Sequence, residues 1–440
     1  MGELFVGVAR IDISPEESVP LSGYGRSSSR MSVGVSDPLS ADCLAFTDEN
    51  GSTMLVFSMD QGNMYAPLPS FREDVAQATG LTKAQVMFSA THTHSAPHLS
   101  NQDEPTIPRY CEMLRRRLVE CAVAAMADRK EASISVGSIR TRNMNFVRRY
   151  VLEDGTYAGD NYGHPKLSPI VCHESDADPM LQVVKFTRQG GKDIIMTNFQ
   201  GHPHKGAKYK YYHATSDLVY YYRQTLEAET GCHAVYFSGA SGNVNCTSRI
   251  PQENITADYM EHGRALAQYA LEALKNLHGV KQGSVKHLQH FYVGKCNHTE
   301  DYKLEAARIV AQRWNAGAKT SEALAGYEDL FTSAYHANSV ITKAARPLTA
   351  DVELNGLCFG DVGMVFAPFE LFSELGEQIK ANSPFDTTFV CCYSNALFSY
   401  MPTKLGFEHG GYGPGACRFE PGTGEILVEE FTKILNTLSE

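Results

Sequence analysis

The chain has 440 residues, a formal net charge of −11, and 39 Lys+Arg against 50 Asp+Glu. That balance argues against a nucleic-acid surface or an anionic membrane surface, both of which call for a basic patch. No apolar run is long enough to span a bilayer, and a small-molecule substrate is the expected partner. The start, Met1-Gly2-Glu3-Leu4-Phe5, lacks a basic segment and a signal-like apolar stretch, and the 11 cysteines are scattered without a CxxC pair. Both features fit free thiols in a reducing compartment, so the expected location is cytoplasmic.

In chain order, a strand over Phe5–Ile13 comes first. Cys43–Thr47 and Thr53–Phe57 read as a hairpin joined through Asp48-Glu49-Asn50-Gly51. A helix over Leu68–Thr79 is closed by Gly80. The apolar run Gln85–Phe88 reads as a buried strand that leads into Ser89-Ala90-Thr91-His92-Thr93-His94-Ser95-Ala96-Pro97, where proline ends the pairing. A long amphipathic helix spans about Arg109–Met126, followed by strands near Ser133–Val136, Leu181–Phe186 and Ile194–Phe199. Ser216-Asp217 caps a helix that runs to Glu229 and ends at Gly231. Strand Ala234–Phe237 opens into the small-residue loop Ser238-Gly239-Ala240-Ser241-Gly242-Asn243, and another helix spans Ala257–Leu277. Residues 301–335 are polar and helical, which suggests a helical insertion. The last third gives strands at Asp351–Phe359, Gly363–Phe366 and Thr388–Cys392, a helix at Glu370–Lys380 and a final helix from Glu425. Strands alternate with helices but hairpins intrude. The expected class is therefore α/β, a mixed β-sheet core covered by helices, in a single catalytic domain over residues 1–440.

Two apolar strands end in paired histidines. On an extended strand alternate side chains share a face, so His92 and His94 are expected to point one way and Thr91 and Thr93 the other. The strand at Ile194–Phe199 likewise stops at Gln200-Gly201-His202-Pro203-His204. A lone histidine of this kind is usually an ordinary core or surface residue. Two such pairs point to a metal, because zinc sites draw ligands from separate strand ends. A carboxylate in an apolar setting is the usual further ligand, and Glu370 sits among Val365-Phe366-Ala367-Pro368-Phe369 and Leu371-Phe372. The same glutamate also suits a helix N-terminus, where the dipole favours an anion. The loop Gly239–Asn245 has neither phosphate-loop nor dinucleotide spacing and reads as an oxyanion-binding loop or as a plain tight turn. Arg148-Arg149 suits a clamp on a polar substrate group or a solvated surface. The tyrosines within 209–213 and 220–222 fit core packing and a pocket rim. Loops around Pro165–Pro179 and the 301–335 segment are expected to set the pocket's size.

Taken in order, these pieces resemble the neutral (neutral/alkaline, non-lysosomal) ceramidase family, zinc-dependent amidases of N-acyl compounds. The resemblance runs from Val6-Gly7-Val8-Ala9-Arg10-Ile11-Asp12-Ile13 to Gly410-Gly411-Tyr412. Its most specific element is the Thr-His-Thr-His-Ser-x-Pro run at Thr91–Pro97, with Ser399-Tyr400-Met401-Pro402-Thr403 as a second block. The resemblance implies His92, His202, Glu370 and Tyr400 as zinc ligands, His94 beside the metal to orient or protonate the substrate, and Arg148 near a substrate-binding arginine. Two departures stand out. Where the family has Gly-Asp-x-Ser-Pro, this chain has Gly242-Asn243-Val244-Asn245-Cys246, so Asn245 stands in the place of the serine. The family's C-terminal immunoglobulin-like domain is not expected here, which suggests a short intracellular relative with a changed substrate.

The expected function is a zinc (Zn2+) hydrolase that cuts an amide (C–N, N-acyl) bond of a small molecule with metal-activated water. His94 manages the proton, while Asn245 and loop N–H groups steady the oxyanion. The alternatives are a zinc esterase or lactonase, and a catalytically silent ligand-binding relative.

Overall fold

The computed structural model describes residues 2–24, 30–159, 168–281, 283–331 and 333–440. A large mixed sheet is built from β1 (Leu4–Asp12), β2 (Ser40–Asp48), β3 (Thr53–Met59), β4 (Val86–Ala90), β5 (Lys130–Arg140), β6 (Met180–Arg188), β7 (Ile194–Phe199) and β8 (His233–Ser238). Their order is β8-β7-β6-β5-β1-β2-β3-β4, and the short strand His278–Gly279 adds a ninth member beside β5. The β2/β3 hairpin pairs Thr47 with Thr53 across the expected turn, where Gly51 takes a positive φ of 84°.

Four helices serve this sheet: α1 (Phe71–Thr79), α2 (Thr106–Ala127), α3 (Leu218–Thr230) and α4 (Tyr259–Leu274). Asp217 caps α3 by accepting from the Leu218 N–H, and Gly231 closes it in a left-handed conformation, as the capping signals require. The segment after β9 (Val285–Lys295) forms α5 (Leu304–Asn315), α6 (Thr320–Leu324) and α7 (Ala334–Ala344), with an apolar cluster of its own around Val310, Leu324 and Val340. A second sheet comprises β9, β10 (Thr349–Phe359), β11 (Val362–Phe366) and β12 (Thr387–Cys391), covered by α8 (Ser373–Ala381) and α9 (Thr423–Ser439). The β9 strand is absent from the sequence-based expectation, and the helix expected from Glu370 begins only at Ser373.

Alternation along the strands decides the layering. In β2, Leu44 and Phe46 face a core shared with Leu357, Phe359 and Phe389 of the second sheet. Cys43 and Ala45 face the other way, toward Leu118, Cys121 and Ala122 of α2. Phe46 stacks on Phe359 across the two sheets with centroids 4.6 Å apart. Truncating such a side chain costs about 3–5 kcal/mol. The result is two sheets face to face with helices on both outer sides, a mixed-sheet α/β fold. No helix among the described residues is long and apolar enough to cross a membrane.

Most neighbours in the large sheet are antiparallel, but β3/β4 and β7/β8 are parallel, as is β11/β12 in the second sheet. A helix, α1, α3 or α8, returns the chain in each case, as parallel pairs demand. Ligands gather at the carboxyl ends of parallel strands, and here those ends are tied together. Cys392 N–H donates to Ser238 O at 3.1 Å, Ser238 Oγ–H to Thr91 O at 2.7 Å, and Ala90 N–H to Tyr393 O at 3.1 Å.

Candidate functional site

The end of β4 supplies the first histidine pair. The strand stops at Ala90, so His92 and His94 lie in the turn beyond it, not on the extended segment that alternation assumes. They meet because His92 takes a left-handed backbone, φ 66°, uncommon for a residue with a Cβ and a recurrent mark of functional sites. Their Nε2 atoms are 3.2 Å apart. Thr91 and Thr93 turn into the fold and donate to Asp60 Oδ1 and to Thr215 O.

The end of β7 supplies His202, which pairs with Asn245 in a parallel bridge. Glu370 arrives after β11 in a two-residue parallel pairing, Glu370 with Tyr400 and Leu371 with Met401. The acidic residue in the first turn of α8 is Glu374, not Glu370. Glu370 precedes that turn, and its carboxylate faces the histidines. The pairing also sets Tyr400 beside it.

These side chains converge. Glu370 Oε2 is 3.5 Å from His92 Nε2 and 3.5 Å from His202 Nε2. His92 Nδ1 bonds Gly62 O, and His202 Nδ1 bonds Val244 O at 2.9 Å. A carbonyl only accepts, so both Nδ1 atoms carry the proton and both Nε2 lone pairs face inward, the usual outer-sphere arrangement of metal-binding histidines. Zinc bonds of about 2.0–2.2 Å in a tetrahedron separate ligand atoms by about 3.3–3.6 Å, in agreement with these spacings. Among the described residues, His202 Nε2 and Glu370 Oε2 are buried with no hydrogen-bond partner. Two orphaned acceptors side by side are costly unless a cation lies between them, so the donor set fits a metal. The ligand atoms of His92, His94 and His202 also all lie within 4.8 Å of one another, which puts His94 within reach of the same ion.

Tyr400 Oη hydrogen-bonds Glu370 and accepts from Arg148 Nη2 at 3.0 Å; the same nitrogen donates to Gly242 O at 2.8 Å. Arg149 points elsewhere, into an ion pair with Glu174. Burial lifts the Glu370 carboxyl to about 7, against the pull of Arg148 and Tyr400. Burial drives His92 down to about 3 and His202 and His94 well below the ordinary range. The imidazoles are therefore neutral near pH 7, the form a metal requires. Burial opposes the Arg148 charge, and the Tyr400 and Glu370 oxygens more than offset it.

The glycine loop has a structural reason. A Cβ on Gly242 would lie 2.3 Å from Glu370 O, so only glycine lets the two loops approach. The N–H groups of Gly239, Gly242 and Val244 donate to Phe199, Leu371 and Ser241 carbonyls. These three are thus committed within the fold, and the expected oxyanion role does not extend to them. Asn245 is buried beside the histidines and hydrogen-bonds His204, whose pKa burial lowers to about 4.

Two contributors escaped sequence reading. Tyr393 stacks on His92, centroids 3.9 Å apart and planes 8° off parallel, and its hydroxyl meets Ser241 Oγ at 2.7 Å. His204, visible as half of a pair, had no role assigned. Nothing local marks Tyr393, because its contact is made far along the chain.

A cleft of about 820 Å³ opens over the site, lined by His94, Arg148, Asn245 and Tyr400 and, farther out, by Tyr24 and Tyr209. Tyr209 and Tyr211 form part of its rim, whereas Tyr222 is core. Of the loop expected to shape it, Pro165 lies outside the described residues.

No family model matches this sequence, nor does any curated protein. Solved structures do. A ceramidase complexed with C2 matches with a TM-score of 0.74 and 17% identity, over 100% of this chain and 76% of that one. The neutral ceramidase from Pseudomonas aeruginosa matches with a TM-score of 0.73 and 17% identity, over 100% of this chain and 75% of that one. Over its whole length, then, this chain shares the fold of the neutral ceramidase structures.

Proposed function

We propose that this chain is a zinc-dependent hydrolase that cuts an amide (C–N, N-acyl) bond in a small molecule. The observation that carries the reading is the buried triangle of His92 Nε2, His202 Nε2 and Glu370 Oε2 beneath an open cleft. His92, His202, Glu370 and Tyr400 would hold the ion, and two imidazoles with oxygen donors suit zinc. When bound, zinc supplies Lewis acidity to a substrate carbonyl and brings the pKa of a water from about 15.7 toward 7.

The chain's own residues do the rest. His94, on the cleft side of His92, takes the proton from the attacking water and returns it to the departing amine. Asn245 donates its amide N–H to the carbonyl oxygen as that atom becomes an oxyanion. Arg148 holds Tyr400 against Glu370. The free state of the cysteines, ten of the eleven buried, supports a reducing, cytoplasmic setting. Asn245 in the place of a serine is the feature that favours the silent ligand-binding alternative.

The test is turnover of matched amide and ester substrates before and after chelation. Amide hydrolysis that disappears with 1,10-phenanthroline and returns with zinc is expected. Ester turnover without amide turnover would move the assignment to an esterase, and no turnover by zinc-loaded protein would overturn it.

A further inference from the structure

The cleft and the chain differ in sign. The described residues that line the cleft include Arg148, Lys205 and Lys208 and no aspartate or glutamate, in a protein of net charge −11. Lys205 is the informative one. It follows His202 by three residues, and it is only 6% exposed. Its ammonium donates to Thr256 O at 2.9 Å and to Thr256 Oγ1 at 2.7 Å. Both acceptors are neutral, and an ammonium has three hydrogens to give. Buried lysines are almost always paired with an anion; among the described residues Lys205 forms no ion pair, and Asp258, Asp217 and Glu261 act on it only from a distance that does not offset burial. Thr256 is itself held by His262, 3.0 Å away, so the ammonium has a firm seat. Among the described residues Arg148 makes both its side-chain bonds from Nη2, and Lys208 is exposed beside the Tyr209 ring.

We infer that the substrate is an acidic amide, an N-acyl amino acid or a close chemical relative, whose carboxylate is seated on the Lys205 ammonium. The inference rests on the hydrolase reading and adds the charge of the substrate. A carboxylate there completes the third donor of a buried cation, and tyrosine walls such as Tyr24 and Tyr211 receive the acyl chain. One sign of charge along the walls also concentrates anions at the mouth.

The experiment compares N-dodecanoylglycine with uncharged N-dodecanoylethanolamine on the zinc-loaded full chain. A kcat/KM at least about tenfold higher for the acid is expected, from the strength of hydrogen bonds to charged groups, and the gap should narrow with added salt. Lys205→Met should bring the ratio close to one. Lys208→Glu, an exposed change that leaves the packing alone, should reduce it and stands in if Lys205→Met fails to fold. Calorimetry on chelated protein gives a second readout: the acid binds at least about ten times tighter than the ethanolamide, and Lys205→Met abolishes the difference. Equal turnover of both compounds, or a preference that survives Lys205→Met and Lys208→Glu, overturns the inference and leaves the hydrolase reading standing. Selective binding of the acid without turnover overturns the hydrolase reading and keeps the anion site.

Discussion

The two histidine pairs look alike in sequence and behave differently in the fold. Each follows an apolar strand that has a parallel neighbour, β4 beside β3 and β7 beside β8. In the first, the positive φ of His92 folds the turn so that both rings reach one point, with Nε2 atoms 3.2 Å apart. In the second, only His202 faces that point. His204 sits with its ring 5.8 Å from that of His202 and bonds Asn245 instead. An i, i+2 spacing therefore indicates a shared face only while the strand continues. Past the strand's end, the backbone conformation of the first histidine decides whether the second becomes a partner in the same site.

That contrast can be broken by substitution. The largest effects belong to His92→Ala and His202→Ala, which should abolish bound zinc and amide turnover together, measured by metal analysis and a hydrolysis assay. His94→Ala should keep the zinc and lower kcat by about 10²–10⁴, the range of a proton-transfer group. If it lost the metal instead, His94 would be a ligand. Asn245→Ala should lower kcat by about 10²–10³ with zinc retained, as for an oxyanion donor. Gly242→Ala, whose Cβ meets the Glu370 carbonyl oxygen at 2.3 Å, should displace the carboxylate and weaken zinc affinity by about 10–100-fold, as outer-sphere changes do. The smallest effect is expected from His204→Ala, about tenfold or less in kcat, since its role is exercised through Asn245.

The pairs also share a property that pH can reveal. Burial lowers His92 to about 3 and His204 to about 4, against about 6.5 in an unfolded chain. Below pH 6.5 the unfolded chain takes protons that the folded one refuses. In the metal-free protein these histidines contribute stability that is present above 6.5 and lost as pH falls toward 3, and Glu370 and Asp217, raised to about 7, oppose that trend in part. Thermal melts at pH 7.5 and 5 check this, and a flat profile would contradict the burial of both pairs.

Much of this was legible in the sequence, and the exceptions have physical causes. The bounds of β7, the β2/β3 hairpin and the caps of α3 were readable because apolar periodicity, the Asp48–Gly51 turn and Asp217 are local signals. Glu370 was legible only as one of two readings: a carboxylate before a helix suits the dipole whether or not it faces a metal, and its approach to His92 and His202 depends on a pairing with Tyr400 made far along the chain. Strand β9 was missed because Lys286, His287, Gln289 and His290 interrupt its apolar alternation. It lies at a sheet edge and, among the described residues, is paired with β10 alone. The third missing feature, Tyr393 on His92, depends on a meeting of β4 and β12 that no window of sequence contains.

The proposed chemistry requires one ion among His92, His202, Glu370 and Tyr400. Diffraction data recorded from crystals on both sides of the zinc absorption edge test it most directly. A single anomalous peak within bonding distance of His92 Nε2, His202 Nε2 and a Glu370 carboxylate oxygen, absent in His202→Ala, is the expected result. No peak in zinc-soaked wild-type crystals, or a peak held by other side chains, would contradict it.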